Sequence, residues 1–149
     1  MYKPKYFTLE ELCKSEIAER KGINNFPSFE AALNLLELTE EILDPLREAW
    51  GGAVYVRSGF RCEALNDAVG GSKTGAHPLA YAADLYPANG AIDGFIAFAR
   101  GWLTKTGKPF DQFIEETDGR ARWLHIGLYN RKHQQRRQFL NITKREAHG

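Results

Sequence analysis

The stretch TGAHPLAYAADLY, residues 74–86, sets a histidine, His77, seven places before an aspartate, Asp84, among mostly small and apolar residues. An imidazole and a carboxylate are both costly to bury unless something pairs with them. Seven residues of unbroken helix would separate the two by about 10 Å, and seven of unbroken strand by about 23 Å. Neither lets two short side chains share a partner, so the stretch must bend. Pro78, directly after the histidine, favours a loop that leads into a strand carrying Asp84. Ala80, Ala82 and Ala83 leave room for other backbone and for a ligand. A metal ion would serve both groups at once, which directs the search to further ligands.

The segment WLHIGL, residues 123–128, supplies one. Under strand alternation Leu124, Ile126 and Leu128 face a core, which leaves Trp123, His125 and Gly127 on the opposite face. Two imidazoles and one carboxylate, with water in the fourth position, form the open tetrahedral zinc set used in hydrolysis. Zinc suits imidazole nitrogens better than magnesium does. His133 and His148 lie outside this pattern and read as structural.

The chain has 149 residues, enough for one domain with a core that needs no staples. We divide it into a helical N-terminal part (1–50), a catalytic core (51–130) and a basic tail (131–149). Cys13 and Cys62 lack any C-x-x-C spacing and read as ordinary thiols. A formal charge of +1 creates no global field toward nucleic acid or membrane. No stretch reaches the roughly 18 apolar residues of a membrane span, and no apolar leader opens the chain, so synthesis in a cytoplasm is expected.

Thr8 with Glu11 reads as a capping box, and Phe7 with Leu12 as its staple, for a helix running toward Lys21. From Ser28 the residues Phe29, Leu33, Leu36, Leu43, Leu46 and Trp50 predict a long helix with one face on a core, bent or split at Pro45. AVYVRSGFR (53–61) reads as a short strand and turn, and RCEALNDAVGG (61–71) as a short helix. LAYAADLY (79–86) alternates as a strand, with Ala82, Asp84 and Tyr86 on one face. Ile92 through Leu103 form an amphipathic helix, and FDQFIEE and RWLHIGLY a hairpin joined by TDGR. The tail NRKHQQRRQFLNITKR reads as a solvated helix or arm rather than a dedicated contact with anionic wall polymer or nucleic acid. The order predicts an α+β domain with a small, largely antiparallel sheet flanked by helices.

SGFRCEALNDAVGGSKTGAHPLAYAADLY (58–86), followed by WLHIGL, resembles the zinc D-Ala-D-Ala carboxypeptidase family and its phage-type murein endopeptidase relatives. YFTLEELCKSEIAERKGINN (6–25), ILDPLREAWGGAVYVRSGFR (42–61) and FDQFIEE (110–116) resemble phage and prophage members of that family. The resemblance implies the small α+β fold also seen in the hedgehog signalling domain. It implies one Zn2+ held by His77, Asp84 and His125, and Arg61 facing the substrate, a role that a bidentate guanidinium fits. Three positions depart from the family pattern: Gly75 stands for a serine, Ala80 for a glycine, and Arg122 for the acidic residue that serves several relatives as base. Glu116 is then the candidate base, with Glu115 and Asp118 as alternatives. Trp123 is a candidate substrate platform or a packing residue. Gln112 is a candidate substrate contact or a residue that satisfies backbone groups.

The expected function is a zinc metallopeptidase cutting a peptide bond in the peptidoglycan stem, as a carboxypeptidase or endopeptidase of a phage or prophage lysis system. Such a protein acts on the wall after release and is expected to be a monomer, with no membrane or nucleic-acid partner. The alternative is a catalytically inactive binding or virion structural module of the same fold.

Overall fold

The structure, a computed structural model, describes residues 1–144. Strands β1 (Val54–Ser58), β2 (Ala82–Pro87), β3 (Gln112–Asp118), β4 (Ala121–Gly127) and β5 (Gln138–Lys144) form one sheet in the order β1-β2-β4-β3-β5. Neighbours are antiparallel except β3 and β5, which run parallel. The fold is therefore α+β with a mostly antiparallel sheet. Alternation gives each strand two characters. Ala83 and Leu85 of β2, Phe113 of β3 and Leu124 and Ile126 of β4 are all fully buried on one face, under helices. The opposite face carries Asp84, Glu116, Trp123 and His125.

Helix α6 (Ile92–Thr106) buries Phe95, Ile96, Ala99 and Leu103 and packs on β2 and β4. Near the N-terminus the capping box of Thr8 and Glu11 forms, and Phe7 and Leu12 are both in the core. The helix it opens, α1 (Leu9–Cys13), nevertheless ends early. Lys14 is extended, and Ser15 accepts from the Ala18 amide to start a second helix, α2 (Glu16–Lys21). A serine oxygen that competes for backbone donors caps a helix more readily than it continues one. The single helix expected to Lys21 is therefore two.

The long helix is α3 (Phe29–Leu38) and α4 (Asp44–Trp50), joined by a π-helical turn over Thr39–Leu43. Pro45 sits in the first turn of α4, where its missing donor is tolerated. The helix widens there instead of breaking. Its buried stripe runs through Ala31, Leu35, Leu38 and Ile42, with Leu43 and Leu46 beyond. Phe29 and Leu33, expected on that face, are 75% and 39% exposed. Leu36, Leu43 and Leu46 of the expected row are buried as read, so the row fails only at its first turns, where Ala31 and Leu35 take the inward positions and α3 packs on α1. Asp44, buried, accepts from the Tyr2 hydroxyl and from the amides of Lys5 (2.7 Å) and Tyr6 (3.0 Å), which pins the N-terminal segment to α4.

The basic tail is neither helix nor loose arm, because residues 138–144 form β5. The carboxylate of Asp111, 2% exposed, holds the Arg136 guanidinium through two bonds of 2.8 Å. Phe139 then packs against Phe110 and Phe113, with ring centroids 5.2 Å away in each case. The density of cations hid the strand signal of QFLNIT. His148 and the end of the tail lie outside the described residues. Among the described residues no helix is long and apolar enough to cross a membrane.

A glycine pair tests the packing. A β-carbon at Gly59 would lie 2.2 Å from the Leu12 carbonyl oxygen, whereas one at Gly94, within α6, meets nothing within 4 Å. In urea denaturation Gly59→Ala is expected to lose about 1–3 kcal/mol to overpacking. Gly94→Ala is expected to gain about 0.5–1 kcal/mol from helix propensity.

Candidate metal centre

The register of β2 against β4 sets Asp84 directly opposite His125, on the face that the helices leave open. Cross-strand partners have Cβ atoms about 5 Å apart, so one oxygen can meet the ring. The third member arrives from the loop before β2. There the amides of Leu79 and Ala80 donate to the carbonyls of Ala76 and His77, and Tyr81 closes back on Ala76. The loop thus makes the bend that its spacing required. Ala80 adopts a left-handed φ of 64° while fully buried, a conformation that costs a non-glycine residue about 1–2 kcal/mol. The glycine of the family pattern at this position answers to that backbone.

His77 Nε2 lies 3.2 Å and His125 Nδ1 3.0 Å from the same oxygen, Asp84 Oδ1. The ligand atoms of the three residues all fall within 4.8 Å of one another, and each residue is buried. His77 Nδ1 donates to the Gly59 carbonyl at 2.7 Å. In the neutral ring this leaves the Nε2 lone pair aimed at Asp84, an orienting bond of the kind that metal-binding histidines use. Burial alone would raise the Asp84 carboxyl; with no cation between the groups and the His77 ring carrying a proton on both nitrogens, its charge and hydrogen bonds from His125 and His77 outweigh that. The carboxyl is held well below the usual carboxylate range. Two ring nitrogens and an anionic oxygen converging in a dry site call for a cation between them. The set fits a borderline divalent metal.

Around this group the open face is built residue by residue. Glu116 pairs with Trp123 across the hairpin, and Trp123 Nε1 donates to Glu116 Oε2 at 2.5 Å. The guanidinium of Arg57 stacks on the Trp123 ring, 4.1 Å from its centroid. Arg61 follows β1 and its amide donates to the His77 carbonyl at 3.3 Å. Its side-chain Nε is buried with no partner, as is Oδ1 of Asn66. Burial pushes the Arg61 guanidinium down, while the charges of Asp84 and Glu116 pull it up.

Other expected residues lie elsewhere or are already engaged. Gln112 donates to Gln138 of β5 at 2.9 Å, so its amide ties two strands and does not reach toward the metal group. Arg122 faces α6, bonded to Asp93 at 2.7 Å and Glu115 at 3.0 Å, which takes Glu115 away from the open face. Asp118 is exposed at the hairpin turn. His133 stacks on Tyr129 with centroids 3.7 Å apart. Arg57 had no signal in the sequence: it is the extra residue where the β1–β2 register shifts between Val56 and Ser58, and that irregularity is invisible without the pairing. A larger cleft of about 960 Å³ lies between α1, α2 and α3, lined by residues such as Cys13, Asn25 and Phe29, and holds none of the three ligand residues.

The Peptidase M15 family model matches residues 5–126, a span that contains the whole His77, Asp84 and His125 group. The chain belongs to this family and is by that membership a peptidase. No protein among the curated ones matches the sequence.

Each of His77→Ala, Asp84→Ala and His125→Ala is expected to weaken zinc binding by more than about 100-fold, beyond the range typical of losing only an orienting partner. His133→Ala is expected to bind as the wild type does. Elemental analysis and competition with a chromophoric chelator measure this.

Proposed function

We propose that the peptidase is zinc-dependent and hydrolyses a peptide bond of the peptidoglycan stem, as a D-alanyl carboxypeptidase or a murein endopeptidase. We place it in a phage or prophage lysis system, made in the cytoplasm and acting on the wall after release. The convergence of His77, Asp84 and His125 on an open sheet face, next to a buried and unpartnered Arg61 Nε, carries this reading.

His77 Nε2, Asp84 Oδ1 and His125 Nδ1 would hold the ion. When bound, it supplies a Lewis acid for the scissile carbonyl and lowers the pKa of water. Glu116 acts as general base: it takes the proton of the attacking water and returns it to the leaving amine. Trp123 fixes one carboxylate oxygen of Glu116 and leaves the other for the proton. Arg61 offers the substrate a guanidinium that has no protein partner at Nε, suited to a peptide carboxylate or carbonyl. Arg122, bonded to Asp93 and Glu115, takes no part.

Mass spectrometry of muropeptides after incubation tests this reading. Cleavage is expected, with loss on chelation and recovery on adding zinc. Glu116→Gln is expected to lower kcat by about 10²–10⁴-fold with zinc content unchanged. Zinc-loaded protein that leaves muropeptides intact would instead assign the chain to a binding or virion structural module of the same fold.

A further inference from the structure

Where β2 and β4 part, at one end of the sheet, lies a cleft of about 260 Å³ lined by Arg57 and Tyr86 from the open face and by Arg122 and Ile92 from the helix-covered side, with Arg120 and Pro87 among others. Three guanidinium groups around one small cleft are unfavourable unless solvent or an anion screens them. Their partners are unequal. Arg122 is committed to Asp93 and Glu115. Arg57 and Arg120 have no ion-pair partner among the described residues. Of the acids nearby, Glu116 is bonded to Trp123, and Asp118, exposed at the hairpin turn, makes no ion pair with either arginine.

The cleft also neighbours the site through shared strands. Arg57 covers the indole whose N–H holds Glu116, and Tyr86 lies two residues after Asp84 on the same face. Ala121, in the cleft wall, precedes His125 by four residues on β4, which is about 13 Å along the strand. An extended peptide covers about 3.3–3.6 Å per residue.

The geometry points to this cleft as a second recognition site, which binds a free carboxylate of the substrate peptide two to four residues from the scissile bond. Arg57 and Arg120 supply the forked donors, and Tyr86, Pro87 and Ile92 supply an apolar wall for a short aliphatic stem. That mixture suits a carboxylate on a side chain better than a free phosphate. The inference rests on the proposed cleavage of peptidoglycan stems and names what within the stem is read.

Two stem peptides test it, identical except that one carries its side carboxylates free and the other carries them as amides. Each is also made in a non-hydrolysable form with the scissile carbonyl reduced. The wild-type protein is expected to cleave the free-acid peptide with about tenfold higher kcat/KM, mainly through KM, and to bind its non-hydrolysable form about tenfold more tightly. Binding should also shift the Trp123 indole N–H resonance. Arg120→Gln and Arg57→Gln are each expected to remove the discrimination, and Arg120→Lys to keep part of it. Equal affinity for the two non-hydrolysable peptides, or no affinity for either, overturns the subsite. Discrimination in binding with neither peptide cleaved keeps the subsite and overturns the hydrolase reading. Cleavage of both at equal efficiency does the reverse.

Discussion

One buried carboxylate oxygen, Asp84 Oδ1, organises the centre of the molecule. It receives two imidazoles at once, from a loop and from a neighbouring strand, and neither approach survives a change of register. A slip of one residue between β2 and β4 would send Asp84 or His125 into the helix-covered core. The alternation that fills the core therefore also decides which groups meet on the other side. Gly59 extends the dependence to a third segment: its amide-linked neighbour Phe60 bonds to Leu12, while its own carbonyl turns the His77 ring. The N-terminal helix, the first strand and the loop that carries His77 are coupled through that one residue.

The open face then works as a graded surface. His77, Asp84 and His125 occupy its middle, Glu116 and Trp123 flank them, and Arg57 connects that pair to a cationic end. Arg122 shows what the same residue type does on the other face. Two carboxylates there satisfy it, whereas Arg57 and Arg120 have no such partner among the described residues. Fixing a carboxylate by an indole N–H, as Trp123 does for Glu116, restricts its rotamers without neutralising it.

Much of this was legible in the residue order. The H-x6-D spacing demanded a bend, alternation in WLHIGL put His125 away from the core, and the two facts together picked out the three residues that converge in the structure. The capping box of Thr8 and Glu11 was local chemistry and formed as read. What failed depended on contacts distant in sequence. Phe29 and Leu33 have helical spacing, but the competing row through Ala31, Leu35 and Leu38 wins the core, and only tertiary packing decides between two such rows. That Gln112 would find a partner in Gln138 could not be foreseen either, because β5 was not read as a strand. Ser15 is a cap signal that the apolar pattern on either side masked.

The parallel pairing of β5 with β3 has a bearing on solubility. The family match stops at Ile126, short of this strand, so the covering of β3 comes from a segment outside the matched span. Without it, β3 would present a bare row of amides and carbonyls beside Phe113 and Ile114, a template on which another chain can add. Asp111 and Arg136 hold the covering strand in place by charge and geometry. The tail thus moves the border of the sheet from β3 to β5, a strand whose only charged residue is Lys144.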